Sequence, residues 1–207
     1  MGSDVTKKTP YAVMLSSTYK ELVEHREAVR RAMLGQRLMP VTMEEDAVLP
    51  DKYLIDASSS KIEESDAYVG LISYRYGQSP HDSDRNPDEL SLTELEFRRA
   101  VERKIPICMF IMHDDHLVPR SAVGEERGVQ EKYDAFVKVA KRGQVYAEFT
   151  SVDDLKAKAV LSLVKLREIL ESSAVSAVPI EDRAPRPALS NIPFSVPRPF
   201  LLSLIHI

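Results

Sequence analysis

Residues 11–18 read YAVMLSST, an apolar run from Tyr11 to Leu15 that ends in three hydroxyls, Ser16, Ser17 and Thr18. Unbroken apolarity, in place of the alternation of a half-solvated strand, marks a strand covered on both faces, which is the situation of a parallel sheet. Further short strands are expected at Met39–Met43, Ala67–Ser73, Ile105–Met112 and Val145–Phe149. Helical patterns separate them. Tyr19, Leu22, Val29 and Met33 fall on one stripe with charges on the other side, and a second helix is expected over Leu54–Ile62. Ser91 followed three residues later by Glu94 matches a capping box that opens a helix to Arg103, and a further helix is expected over Val129–Lys141. Ser151 with Asp154 repeats the capping signal ahead of the stripe Val152, Leu155, Ala159, Leu163, Leu166 and Leu170. Strand and helix alternating about five times predict right-handed crossovers and one doubly wound α/β sheet.

In such a sheet, ligands bind beyond the carboxyl ends of the strands. Those ends carry Ser16-Ser17-Thr18, Glu44-Glu45-Asp46, Tyr74-Arg75-Tyr76-Gly77 and His113-Asp114-Asp115. Ser91 sits at the start of the helix that follows the long polar loop from Gly77 to Leu90.

Composition narrows the classes. The chain has 207 residues, 43% hydrophobic and 29% charged, with a net charge of -4. An acidic balance gives no reason to expect nucleic acid or an anionic membrane as a partner. The opening MGSDVTKKTP lacks the apolar core of a signal peptide, and no apolar run is long enough to span a bilayer, so a cytoplasmic location is expected. The single cysteine, Cys108, lies in the apolar run IPICMFIM and reads as a buried hydrophobe rather than a nucleophile. The cluster His113, Asp114, Asp115, His116 has metal-like chemistry, but no further ligand is fixed by spacing, so no metal site is expected.

The expected organisation is an arm at 1–9, a folded domain at 10–172 and a linker at 173–201, where six of the thirteen prolines fall between Pro179 and Pro199. Residues 202–207, LSLIHI, are what a DNA-library adaptor encodes in this frame, and they are read as sequencing read-through. The natural chain is therefore expected to continue past Leu201.

Three segments, VMLSSTYKELVEHREAVRRAM at 13–33, IEESDAYVGLISYRYG at 62–77 and SLTELEFRRAVERKIPICMFI at 91–111, resemble the family catalogued as domain of unknown function 4062. The resemblance implies a TIR-like, nucleoside-deoxyribosyltransferase-like fold of the flavodoxin type. It also implies a place ahead of a STAND-type signalling NTPase and its repeats. Asn191-Ile192-Pro193-Phe194 with Arg198-Pro199-Phe200 is similar to the linker before such NTPases, while no GxxxxGK[ST] phosphate loop occurs in the chain.

Glu96, Ala100 and Pro106 are similar in spacing to the E-x-G-x-A-x(5)-P pattern of the deoxyribosyltransferases, with Phe97 and Arg98 in place of x-G. The resemblance implies that Glu96 works on a ribosyl bond, as a nucleophile or by stabilising oxocarbenium charge. On a helical wheel Glu96 falls between Leu92 and Ala100, which predicts burial and a raised pKa. The plain alternative is an exposed Glu96 paired with Arg99. Glu94 is a weaker catalytic candidate, better explained by capping.

Ser16 and Ser17 are candidates to contact a phosphate, or simply to cap the first helix. Arg75, Tyr76 and Gly77 combine a phosphate fork, a stacking ring and a residue that permits close backbone approach. Tyr19, Glu45 and Ser91 complete the candidate ligand set. No tightly bound cofactor is expected, with NAD or a nucleotide as substrate or ligand. The expected partners are the covalently following NTPase and repeat domains, and a second copy of the chain in a homo-oligomer. Two functions compete: a signalling module that senses or assembles, and an N-glycosidase acting on NAD or a nucleotide through Glu96.

Overall fold

The computed structural model describes residues 10–18, 22–43, 50–118 and 127–176. In chain order these form β1 Tyr11–Ser17, α1 Val23–Gly35, β2 Leu38–Val41, α2 Asp51–Glu63 and β3 Ala67–Ile72. They continue with α3 Leu92–Glu102, β4 Ile107–Met112, α4 Arg127–Ala140, β5 Val145–Phe149 and α5 Val152–Ser176. All strand pairs are parallel and the order is β2-β1-β3-β4-β5. This is the flavodoxin-like doubly wound order, in which the chain reverses its direction of winding between β1 and β3.

Each apolar run divides by parity. Val13, Leu15, Val69, Leu71, Cys108 and Phe110 pack on one face with Val29 and Met33 of α1 and Leu155, Ala159, Leu163 and Leu166 of α5. Met14, Tyr68, Ile72, Met109 and Ile111 pack on the other with Ile62 of α2, Phe97 and Ala100 of α3 and Phe136 of α4. Continuous apolarity therefore serves two interiors, and β3 and β4 are buried along their whole length. Cys108 belongs to this core, and burial pushes its thiol up to about 12, far from the reactive range.

The elements extend beyond their apolar cores. β1 runs through Ser17, so Ser16 and Ser17 lie inside the strand rather than after it. α2 begins at Asp51, and α5 continues to Ser176, past the boundary expected at 172. β2 ends at Val41, short of the expected Met43, and carries Pro40 in register with Val13. The rest of the expected linker, from residue 177, and the last six residues of the chain lie outside the described residues.

Two contacts lace the carboxyl ends of β1 and β3. The Thr18 amide donates to the Leu71 carbonyl at 3.1 Å, and the Ser73 amide donates to Thr18 Oγ1 at 2.9 Å. Gly77, at φ +93°, lies so close that a Cβ there would sit 2.7 Å from the Thr18 carbonyl oxygen. The close approach that this glycine permits is thus made to the protein's own backbone.

Candidate functional site

Ser16 follows Met14 by two residues and so faces the α2–α4 side of the sheet. Glu96 lies on α3 one residue before the buried Phe97 and four before Ala100, on the stripe that packs against this same side. The two meet across eighty residues of sequence: Ser16 Oγ donates to Glu96 Oε2. Both are buried, Glu96 at 3% and Ser16 at 5% exposure. Burial raises the Glu96 carboxyl from 4.5 to about 7, against the lowering effects of the Ser16 bond and the charge of Lys61. The Lys61 ammonium is itself held by the Thr42 carbonyl at 2.6 Å.

The Tyr68 ring on β3 completes the pair's surroundings. It is fully buried edge-on to Phe97, and its hydroxyl donates to the Thr93 carbonyl at 3.3 Å. Burial and then the nearby Glu96 charge hold its phenol well above the usual range, so it remains a neutral donor. The alternative of an exposed Glu96 paired with Arg99 does not hold. Arg99 bonds Glu63 and Glu102 instead, because it lies on the outward side of α3.

The other candidates fall into separate arrangements. Ser17 Oγ accepts from Arg26 at 3.1 Å, and α1 starts after Leu22 with no side-chain cap, so neither serine caps that helix. Ser91 does act as a cap, its Oγ accepting from the Glu94 amide at 3.3 Å. Glu94 does not return the capping-box bond within the described contacts. Its carboxylate accepts from Tyr76 at 2.6 Å and from Arg98 at 2.6 and 2.9 Å. Tyr76 is only 1% exposed, edge-on to Phe136, and burial followed by the Glu94 bond raises its phenol. Its ring faces the core rather than an open cleft. The Arg75 amide donates to Ser73 Oγ at 3.1 Å, and its guanidinium lies 5.8 Å from the centre of the Tyr74 ring. Tyr19 and Glu45 lie outside the described residues.

The loop between β3 and α3 is ordered by Asn86, which is 3% exposed. Its amide nitrogen donates to the Pro80 and Leu90 carbonyls, and its oxygen accepts from the Leu90 amide. An open concavity of about 510 Å³ lies on this loop, lined by His81, Asp82, Ser83, Asn86, Pro87 and Glu89. It shares no lining residue with the Ser16–Glu96 pair.

A second, part-buried polar pair lies on the opposite face. His25 in the first turn of α1 and His116 after β4 approach Nε2 to Nε2 at 3.1 Å, both rings against Phe149 of β5. Sequence reasoning missed this pair. It also missed Tyr68, whose hydroxyl is hidden inside the apolar run AYVGLI. Among the described residues, no group of three or more His, Cys, Asp or Glu is placed to hold a metal ion. Nor is any described helix long and apolar enough to cross a membrane.

The fold and this site define a flavodoxin-like α/β protein with a protonatable carboxyl buried where the sheet reverses its winding. The family model described as Domain of unknown function (DUF4062) matches residues 12–164, and the chain belongs to that family. No curated protein matches the chain. Among solved structures, it is similar to a diflavin flavoprotein A3 from Nostoc sp., at 7% identity and a TM-score of 0.43, covering 82% of this chain and 99% of that one. It is also similar to the Vibrio vulnificus NanR protein complexed with ManNAc-6P, at 10% identity and a TM-score of 0.37, covering 81% and 52%. At this distance neither likeness speaks to a ligand or an activity.

Proposed function

We propose that this chain is the TIR-like front module of a larger STAND-type NTPase, residues 10–172 forming a signalling domain that binds a nucleotide-like ligand and the Pro-rich stretch at 173–201 leading to the NTPase. The observation that carries the reading is the Ser16–Glu96 pair. A buried carboxyl with a pKa moved to about 7 costs stability, and groups perturbed in this way cluster at functional sites. The pair also lies at the β1/β3 reversal, where doubly wound sheets bind their ligands. The signalling context rests on the resemblance carried by the three sequence motifs, which lie within the matched residues 12–164.

Calorimetric titration of the chain with NAD, ATP, ADP and AMP tests the binding. Saturable binding of at least one nucleotide, weakened by Ser16→Ala, is the expected result. Absence of saturable binding for every one of them overturns the reading.

One observation favours a second reading, cleavage of the N-glycosidic bond of NAD or a nucleotide. A carboxyl near pKa 7 is part ionised at neutral pH, and the ionised form is the one that would attack the anomeric carbon or stabilise oxocarbenium charge. Release of nicotinamide or free base by the chain, lost in Glu96→Gln, would establish it. Turnover that survives Glu96→Gln removes Glu96 from the chemistry.

A further inference from the structure

The proton arrangement of the His25–His116 pair follows from its neighbours. His116 Nδ1 lies 3.0 Å from the Leu117 carbonyl, which can only accept, so Nδ1 carries the proton and the neutral ring presents a lone pair at Nε2. The donor in the 3.1 Å bond is then His25 Nε2. That leaves His25 Nδ1 as a bare acceptor, and it is buried with no hydrogen-bond partner among the described residues.

A further proton has no good place in this arrangement. On His116 Nε2 it would either set two N–H groups against each other across 3.1 Å or, with the His25 proton moved to Nδ1, bury that N–H without an acceptor. On His25 Nδ1 it would create a cation with no acceptor, against the apolar ring of Phe149. Burial and then His116 lower the His25 pKa from 6.5, in keeping with this geometry. Glu24 on α1 favours the charged form of His25 as the smallest of the three influences. On the His116 loop, His113 Nδ1 accepts from the Asp115 amide at 3.2 Å and lies 3.3 Å from Asp115 Oδ2, and β5 sets Phe149 against the pair.

We propose that the His25–His116 contact is a proton-operated clasp, closed at neutral pH with the loop after β4 held against α1, and opened by acid. His25 released to solvent regains ordinary imidazole basicity, so the open state takes up a proton that the closed state excludes. By linkage the clasp is at full strength above about pH 6.5 and weakens as pH falls below it. The clasp stands on the carboxyl edge of the sheet, on the face opposite Ser16 and Glu96, and does not depend on what that site binds.

Hydrogen exchange of the full chain at pH 7.5 and 5.5, expressed as protection factors, reads the clasp directly. Protection of the amides of residues 113–118 and of the first turn of α1 is expected to fall about tenfold at pH 5.5, the effect of one pH unit of unmatched protonation. His25→Gln, which keeps an N–H donor for His116 Nε2 but cannot titrate, is expected to lose that pH dependence while the sheet amides of β3 and β4 stay protected. Protection that is independent of pH in the unmodified chain overturns the clasp, as does an unchanged pH dependence in His25→Gln.

Discussion

The Ser16–Glu96 and His25–His116 pairs occupy corresponding places on the two faces of one sheet, one under α3 and the other under α1, yet burial moves them in opposite directions. The carboxyl is raised to about 7 and the imidazole is lowered from 6.5. The cause is single: an interior of low polarity favours whichever form is neutral, which is the acid of Glu96 and the base of His25. The difference lies in what each side can absorb. Glu96 has a hydroxyl donor in Ser16 and a cation in Lys61 to ease its ionisation, whereas the described contacts of His25 offer its extra proton no acceptor.

The largest test of this contrast is the stability of Glu96→Gln as a function of pH. A carboxyl whose folded pKa is raised stabilises the protein fully below 4.5, and the contribution is lost as pH rises through about 7. The unmodified chain should therefore lose about 3 kcal/mol relative to Glu96→Gln between pH 4 and 8, measured by urea unfolding at each pH. A constant difference would mean that Glu96 is not shielded as described. Carboxylates with lowered pKa, such as Asp82 and Asp154, destabilise in acid, but they act on both proteins and cancel.

Ser16→Ala sharpens the same side. It removes the hydroxyl that eases Glu96 ionisation and should cost about 2 kcal/mol in denaturant unfolding at pH 7.5, less at pH 4.5 where the acid is neutral. An equal loss at both pH values would show that the bond does not favour the charged form. Gly77→Ala probes the lacing of β1 to β3 beside that pair. A Cβ at a positive φ and against backbone should cost roughly 1–3 kcal/mol in thermal unfolding, and no shift in Tm would mean the turn relaxes. The smallest effect belongs to the opposite face. His116→Gln should change stability at pH 7.5 by under about 1 kcal/mol, since the ring is half-buried and the glutamine can still accept.

The fold was open to sequence reasoning because it depends on local signals. The runs at Tyr11–Leu15 and Ile105–Met112, and the stripe from Leu155 to Leu170, each declare their own burial. The burial of Glu96 was legible for the same reason, from its place between Leu92 and Ala100 on one helix. Its partner was not, because the bond to Ser16 needs β1 and α3 docked in three dimensions. Tyr76 illustrates the same limit. Next to Arg75 and Gly77 it reads as a stacking ring for a ligand, but α4 supplies Phe136 to cover it and α3 supplies Glu94 to bind its hydroxyl. His25 was obscured by the charged text around it, since VEHREAVRR looks like a solvated face until Phe149 and His116 are set against it.

Pro40 has a bearing on how copies of this domain can meet. β2 is an outer strand of only four residues, and a proline within it supplies no N–H to a ladder. Short, proline-bearing margins are how natural sheets resist uncontrolled strand addition, so edge-to-edge polymerisation is discouraged along this border. Any contact between copies at this border is then a matter of side-chain complementarity rather than of backbone templating.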